Sequence, residues 1–367
     1  MLASPSRFRP PFCPNPACRY HDATTSSWPW VRAGFFLRDA APHRVQRFQC
    51  RHCRRHFSTQ TFRGDYWLKQ PRLLLPVAHR LVGCSGFRQI AREFGISPQT
   101  VLGLSSRIGR QCLLFHEALR PRGELREPLA LDGFRTFERS QYHPTEFHLA
   151  IGQHSHYVHG FTDSELRRSG AMRPGQRRWR AKLEARWGRP DPRSTEHEVS
   201  ALLEIVTEGA TSLILHTDEH QDYPRALARL RHRVTVAHHT VSSRAARTSK
   251  NPLYAINLFE LIVRHSGANH KRETIAFSKR RQSAADRLWL TLVWRNYVKS
   301  FSERKRDATP AMRAGVCEGR WSLEAILAER QFIGRVRLPE RWARYYWGLT
   351  PTRALPRARA HRLRYAA

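Results

Sequence analysis

No stretch of this chain approaches the roughly 18 uninterrupted apolar residues that a membrane-spanning helix needs. The opening residues, MLASPSRFRPPFCPNPAC, contain no apolar h-region of a secretory signal. Amphipathic terminal helices and lipidation signals are missing too. The chain therefore reads as soluble and intracellular, with no membrane partner. Walker A and dinucleotide glycine patterns are absent, so no nucleotide cofactor is expected, and no internal repeat is visible. The scarcest property is negative charge. Thirty Asp and Glu stand against 64 Lys and Arg in 367 residues, a net charge of +34. Such an excess repels itself in a compact fold unless a polyanion neutralises it, and nucleic acid is the obvious one. Apolar material is not lacking. A hydrophobic share of 40% with 10 Trp and 18 Phe supports a packed core rather than disorder, and the length predicts two or three domains.

Disulfides are excluded on the same reading, because intracellular thiols stay reduced. The seven cysteines then need another account. Cys13 and Cys18 have four residues between them, and Cys50 and Cys53 have two. A short loop between paired cysteines places two thiolates on one ion without strain, and zinc takes four in a tetrahedron. The two pairs predict a four-cysteine zinc ribbon, with the stretch 57–62 as a strand folding back over the knuckle. His21 or His43 could replace one cysteine. A redox pair is disfavoured because no βαβ pattern surrounds it. A ribbon this small would draw folding energy from its metal. Arg47, Arg51, Arg54 and Arg55 would face phosphate. Cys84, Cys112 and Cys317 are isolated in apolar surroundings and read as core.

From 71 to 119 the apolar spacing is helical. Ile90, Ala91 and Phe94 share a face, Gly95 stops the helix, Ser97 caps the next, and Pro98 takes its first position. Val101, Leu104 and Ile108 continue the stripe. Helix, glycine turn and capped helix predict a helix-turn-helix, with Gln99, Thr100 and Ser105 or Ser106 offered to the major groove.

After Pro121 the pattern changes to strands. EPLALDGFRTFER reads as a strand holding Asp132, and FHLAIGQHSHYVHGF as its hairpin partner. TSLILHTDEHQDY reads as a strand ending in Asp218, and HRVTVAHHTV as another, with helices at about 197–208 and 223–231 between them. This is an α/β sheet. An acid closing an apolar strand is costly unless it is paired or binds a cation. Asp132 and Asp218 on adjacent strands could hold Mg²⁺, with Glu219 and Asp222 as rival ligands. The basic stretch RRSGAMRPGQRRWRAKLEARWGRPDP reads as an insertion or helix tracking a phosphate backbone, or as a solvated charged helix. Further on, Asn257, Glu260 and Arg264 share one face of a helix. A helix acid joining two strand aspartates is the two-metal arrangement of phosphoryl transfer. Lys271, Arg272, Lys279, Arg280 and Arg281 would neutralise a nucleic-acid strand nearby. WLTLVWRNYVKSF reads as a core helix.

Over roughly residues 10–300 the chain resembles the bacterial insertion-sequence transposases of the DDE class. The residues carrying the resemblance are the ribbon cysteines, the helix-turn-helix, LALDGF, LILHTDEHQDY and the helix running into RETIAFSK. The resemblance implies an α/β fold: an RNase H-like mixed sheet with flanking helices, preceded by a small zinc ribbon and a helix-turn-helix. It divides the chain into a ribbon at 1–65, a helix-turn-helix at 66–122, a catalytic domain at 123–305 with a basic insertion at about 163–198, and an accessory helical region with a basic, flexible tail at 306–367. It implies structural Zn²⁺ on Cys13, Cys18, Cys50 and Cys53, and catalytic Mg²⁺ or Mn²⁺ on Asp132, Asp218 and Glu260. Relatives often show an acid followed three residues later by asparagine in the third-acid helix. Here Asn257 precedes Glu260, and Glu273 is the rival. The implied enzyme is a nucleoid-associated homo-oligomer that binds double-stranded DNA through residues such as Arg51, Arg54, Arg55, Gln99, Thr100, Lys271, Arg272, Lys279 and Arg280. It would recognise terminal inverted repeats, nick the element's ends and join the freed 3′-hydroxyls to target DNA. A DNA-binding regulator without catalysis and a structure-directed nuclease are the other readings.

Overall fold

Aromatic and β-branched residues at the front of the chain favour extended backbone. In the computed structural model, which describes residues 8–22, 27–230, 232–353 and 355, they form β1 (Trp30–Leu37), β2 (Arg44–Cys50) and β3 (His56–Ser58). These make an antiparallel sheet of three strands in that order. Alternation along β2 buries Phe48 and Cys50 and leaves Arg44 and Arg47 outside. The strand expected over 57–62 is shorter. After Ser58 the chain enters a 3-10 turn, Thr59–Phe62, because the Ser58 N–H donates to Thr61 Oγ1 at 3.1 Å. A hydroxyl that captures the backbone in this way ends the ladder.

Next come α1 (Leu74–Val82), α2 (Phe87–Phe94) and α3 (Pro98–Leu119). The turn into α3 follows from its residues. Gly95 adopts φ 63°, left-handed backbone that a side chain resists. Ser97 Oγ accepts from the Thr100 N–H at 3.1 Å, and Pro98 sits where no N–H is needed.

The main sheet has five strands: β4 (Leu129–Phe137), β5 (Pro144–Gly152), β6 (Val158–Glu165), β7 (Ser212–Thr217) and β8 (Thr235–Thr240), in the order β6-β5-β4-β7-β8. β4, β5 and β6 are antiparallel, and β4–β7 and β7–β8 are parallel. Two expectations are corrected here. The stretch read as one hairpin partner is two strands, broken where the Glu127 carboxylate accepts the N–H groups of His154 and Ser155 at 2.6 and 2.9 Å. Asp132 does not close its strand. β4 continues to Phe137, because Phe134 and Thr136 keep pairing with Phe147 and Thr145.

Helices α4 (Pro174–Trp187), α5 (Ser194–Val206), α6 (Asp222–Leu230), α7 (Tyr254–Ser266), α8 (Arg281–Val293), α9 (Pro310–Arg313), α10 (Leu323–Ala328) and α11 (Glu340–Tyr346) complete the fold. One sheet face, with Ala130, Phe134, Phe147 and Leu149, packs against residues of α3, α7 and α8. The other, with Leu129, Leu131 and Ala150, packs on α5 and α6. α4 buries no residue, and an Arg167–Glu184 pair at 2.9 Å ties it to the preceding loop. No helix among the described residues is long and apolar enough to cross a membrane.

α3 is a core helix for most of its length. Ser105 is buried and Ser106 donates to Asp286 Oδ2 on α8 at 2.7 Å, so neither serine is offered to DNA as expected. Cys112 is buried, whereas Cys84 and Cys317 are only half-buried. Trp289, Leu290, Val293 and Tyr297 are buried as expected of a core helix. Of the basic tail, residue 354 and residues 356–367 lie outside the described residues. The helices after 306 do not sit apart: Leu323, Ile326, Trp342 and Tyr345 join the main core.

One buried carboxylate ties these parts together. Asp163 on β6 accepts from Arg281 on α8 and from Arg341 on α11, at 2.5 and 2.6 Å, and from the Tyr345 hydroxyl. Removing one partner of such a cluster strands the others without water. Asp163→Ala is expected to destabilise the chain by about 3–5 kcal/mol in urea unfolding, and a loss below about 1 kcal/mol would show that the cluster does not hold α11 to the sheet.

Candidate metal centres and active site

The loop before β1 and the turn after β2 bring the first four cysteines together. One sulfur from each of Cys13, Cys18, Cys50 and Cys53 lies within 4.8 Å of all the others. Cys13 and Cys53 are 3.6 Å apart, and Cys18 and Cys50 are 4.0 Å apart. Tetrahedral zinc with Zn–S near 2.3 Å requires sulfurs about 3.8 Å apart. The cluster fits a zinc ribbon. Its surroundings also suit thiolates: Trp28 Nε1–H donates to Cys50 Sγ at 3.3 Å, and His52 Nδ1 lies 3.4 Å from Cys18 Sγ. The two histidines considered as substitutes point elsewhere. His21 Nδ1 bonds the Cys13 carbonyl at 2.8 Å, and exposed His43 bonds the Arg38 carbonyl at 3.3 Å.

Asp132 lies on the face of the main sheet that α7 covers, Asp218 directly follows β7, and Glu260 is on α7. β4 and β7 register Leu129 with Leu215 and Ala130 with His216, and Asp218 follows the last residue of β7. Asp132 Oδ1 accepts from the Gly133 N–H at 2.6 Å, and Asp218 Oδ1 from the His220 N–H at 2.9 Å. Glu260 enters from α7. Its Oε1 is buried and has no hydrogen-bond partner. Burial pushes the Glu260 carboxyl up to about 8, with the Asp132 charge adding to the rise and Arg264 and Arg247 opposing it. Burial likewise lifts Asp132 to about 6, helped by Asp218 and Glu146. Asp132 is thus within electrostatic reach of both Asp218 and Glu260. They stand wider than the thiols, since among the described residues only the cysteines meet the 4.8 Å spacing. The all-oxygen donor set, with one unpartnered oxygen, suits a hard cation such as Mg²⁺.

The rivals are placed differently. Glu273 is exposed in the loop after α7. Glu219 is exposed, and Asp222 pairs with Arg225 at 3.1 Å. Three further residues influence these acids and were not singled out by sequence reasoning, Glu146 and Tyr223 from the opposite side of the sheet. Glu146 on β5 is buried and pairs with Arg135 at 2.8 Å. Gly133 makes room for it, because a Cβ there would stand 2.6 Å from the Glu146 carboxyl carbon. Tyr223 is buried, and its hydroxyl is pushed well up by burial and then by Asp132, Asp218, Glu146 and Glu260. Arg247 is exposed, and its charge reaches both Asp132 and Glu260. The available signals were an acid inside an apolar strand for Glu146 and proximity to Asp218 for Tyr223. Arg247 had none.

The residues expected to touch DNA are mostly at the surface. Arg51, Arg54 and Arg55 are exposed on the knuckle turn, and Gln99 and Thr100 on the first turn of α3. The Thr100 hydroxyl is engaged with Ser97 Oγ at 3.1 Å. Lys271, Arg272 and Lys279 are exposed between α7 and α8, and Arg280 is half-buried at the start of α8.

Neither a protein-family model nor a curated protein matches this chain. Among solved structures it is similar to a chain in the cryoEM structure of the simian T-cell lymphotropic virus intasome in complex with PP2A regulatory subunit B56 gamma. That likeness has a TM-score of 0.26 and 11% identity over 65% of this chain and 72% of that one. A score so low carries no argument about function.

Two outcomes follow from these geometries. Cys50→Ser should lower bound zinc from about one ion per chain to near none in a metal assay and open the ribbon to proteolysis; retained zinc would remove Cys50 from the ligand set. The second concerns pH. The folded Glu260 carboxyl lies above its ordinary 4.5, so the folded chain holds the extra proton between about pH 4.5 and 8 and loses stability as pH rises through that window. Glu260→Gln should therefore raise Tm relative to the parent increasingly up to about pH 8 and by a constant amount beyond. Millimolar Mg²⁺ should raise the parent's Tm more at high pH than at low pH. A pH-independent Tm difference would show that Glu260 is not the buried acid described.

Proposed function

We propose that this chain is a DNA transposase of the DDE class, binding DNA ends and catalysing metal-dependent strand cleavage and strand transfer. The observation that supports the proposal is that Asp132 and Glu260, on a central strand and a covering helix, are both raised by burial, with the charge of Asp218 adding to the rise at Asp132 and that of Asp132 at Glu260. A five-stranded mixed sheet, hairpins first and parallel strands after, is the architecture expected of an RNase H-like core. The four-thiol cluster and the +34 charge supply the nucleic-acid side of the reading.

In this reading Asp132, Asp218 and Glu260, the last with its unpartnered oxygen, would hold the ions. A pair of Mg²⁺ ions would activate a water or a 3′-hydroxyl and stabilise the leaving oxygen. Both raised acids must lose their protons before they bind metal, which makes the activity rise with pH. Arg247 offsets the acids' charge, and Lys271, Arg272 and Lys279, exposed between α7 and α8, would neutralise a strand's phosphates.

The test is Asp132→Asn. Nicking of supercoiled plasmid in Mn²⁺ should fall by at least about a hundredfold, the loss of several kcal/mol of metal-borne stabilisation. Affinity for duplex DNA should stay within about twofold, since only a metal ligand has gone. A parent chain that binds DNA and never nicks it would support the regulator reading instead.

A further inference from the structure

Ten large hydrophobic side chains are exposed among the described residues, and three of them are consecutive in one strand. Phe35 is 46% exposed, Phe36 37% and Leu37 80%. They lie in the outer half of β1, which is an edge strand of the ribbon sheet, so one side of its backbone meets no strand. Exposed edges are usually blunted by charge or proline, and this one instead carries apolar bulk on both faces. Such a patch marks a binding surface.

Its neighbours specify the occupant. The Arg44 guanidinium lies 3.9 Å from the centre of the Phe35 ring. Arg44 is paired with Leu37 across the hairpin, and exposed Arg32 and Arg47 lie further along the two strands. Against these stands one acid, Asp39, in the connecting turn. The platform is also held in shape. Gln46, buried opposite Phe35, donates to the Gly34 and Arg47 carbonyls at 2.7 and 2.9 Å, where the register shifts between Arg32 and Phe35. Rings presented among arginines suit a polyanion with aromatic faces of its own. A second copy of the hairpin would bring the same arginines against themselves.

We propose that Phe35, Phe36 and Leu37 form a contact surface for unpaired or unstacked DNA bases, with Arg44 and its neighbours holding the adjacent phosphates. The proposal rests on the reading of the chain as a DNA-binding protein but not on its catalysis. It gives the ribbon a second role beside phosphate contact by Arg51, Arg54 and Arg55, namely preference for DNA whose end is frayed or distorted. Base–aromatic stacking supplies the affinity, and because every base has a π-face it does so without reading sequence.

The experiment uses the full zinc-loaded chain and the double variant Phe35→Ala/Phe36→Ala at one salt concentration. Two labelled probes are compared: a short blunt duplex, and the same duplex with a single-stranded tail containing 2-aminopurine. The parent should bind the tailed probe about tenfold more tightly than the blunt one and change the 2-aminopurine emission. The double variant should keep the blunt-duplex affinity and lose both the preference and the emission change. Both side chains are exposed, and unchanged zinc content and Tm will establish that the variant is folded. If the variant keeps the tail preference, the stacking surface is wrong while DNA binding stands. If the parent binds neither probe, the DNA reading itself falls. If the parent dimerises without DNA in sedimentation and the variant does not, the surface belongs to a second copy and the proposal is overturned.

Discussion

The parallel pairing of β4 with β7 is the constraint on which the site depends. β4 is the strand with an antiparallel neighbour on one side and a parallel neighbour on the other. A parallel neighbour cannot be reached through a tight turn, so the chain must leave the sheet, cross a face and return. It does so through α4 and α5. The register on return is decided by burial. Leu129 and Leu131 face α5 and α6, and Ala130 and Phe134 face the larger core. A slip of one residue would exchange the two sets and send Asp132 to the opposite face, away from α7. Packing on both faces therefore fixes where Asp132 and Asp218 stand.

Charge inside this basic chain is handled in two distinct ways. Buried acids that only hold the fold are answered by cations. Asp163 has Arg281 and Arg341, and Glu117 has Arg120 and Arg122 at 2.7 and 2.5 Å. Those arginines keep the Asp163 carboxyl far below its usual range despite its burial. Asp132 and Glu260 are half-buried, and desolvation with the charge of neighbouring acids moves them up against the Gly133 N–H at Asp132 and against Arg264 and Arg247 at Glu260. Asp286 and Glu138, elsewhere in the fold, are also raised by burial, to about 6 and about 7, so a raised carboxyl by itself does not mark a site.

Sequence reasoning succeeded where the deciding physics is local. The paired cysteines, the Gly95–Ser97–Pro98 turn and the acid after the apolar run of β7 are each set by residues within a few positions of one another. It failed where distant residues decide. Glu127 breaks β5 from β6 by accepting two N–H groups some 27 residues away in the chain. Asp132 looked like a strand end because the tail of β4 is polar, and only its pairing with β5 shows that the strand continues. Ser105 and Ser106 looked open until α8 was laid along α3. Glu260 and Glu273 were equally visible as letters. Burial separates them, and burial is a tertiary property. Tyr223, Glu146 and Arg247 come from three different elements and have no common signature in the sequence.

The region after 306 shows what tertiary contacts add to function as well as to stability. Phe332, between α10 and α11, meets the rings of Phe12 and Phe62 at 5.1 and 5.8 Å. Arg335 stacks on Phe12 at 4.1 Å and donates to the His21 carbonyl, and the Arg330 N–H donates to the Phe62 carbonyl at 3.0 Å. The residues framing the cysteine cluster are thus packed onto the segment that leads into α11, and Arg341 of α11 is held by Asp163 of the main sheet. If the ribbon were joined to the sheet by a flexible linker alone, the concentration of its DNA near the acids would depend on linker length. A continuous packed connection replaces that with a fixed geometry, which on the proposed reading would place a phosphodiester for attack with little entropy left to lose. On the proposed reading, the ribbon is therefore a positioning element for the three acids as much as an affinity element, and the C-terminal segment is the part that makes it so.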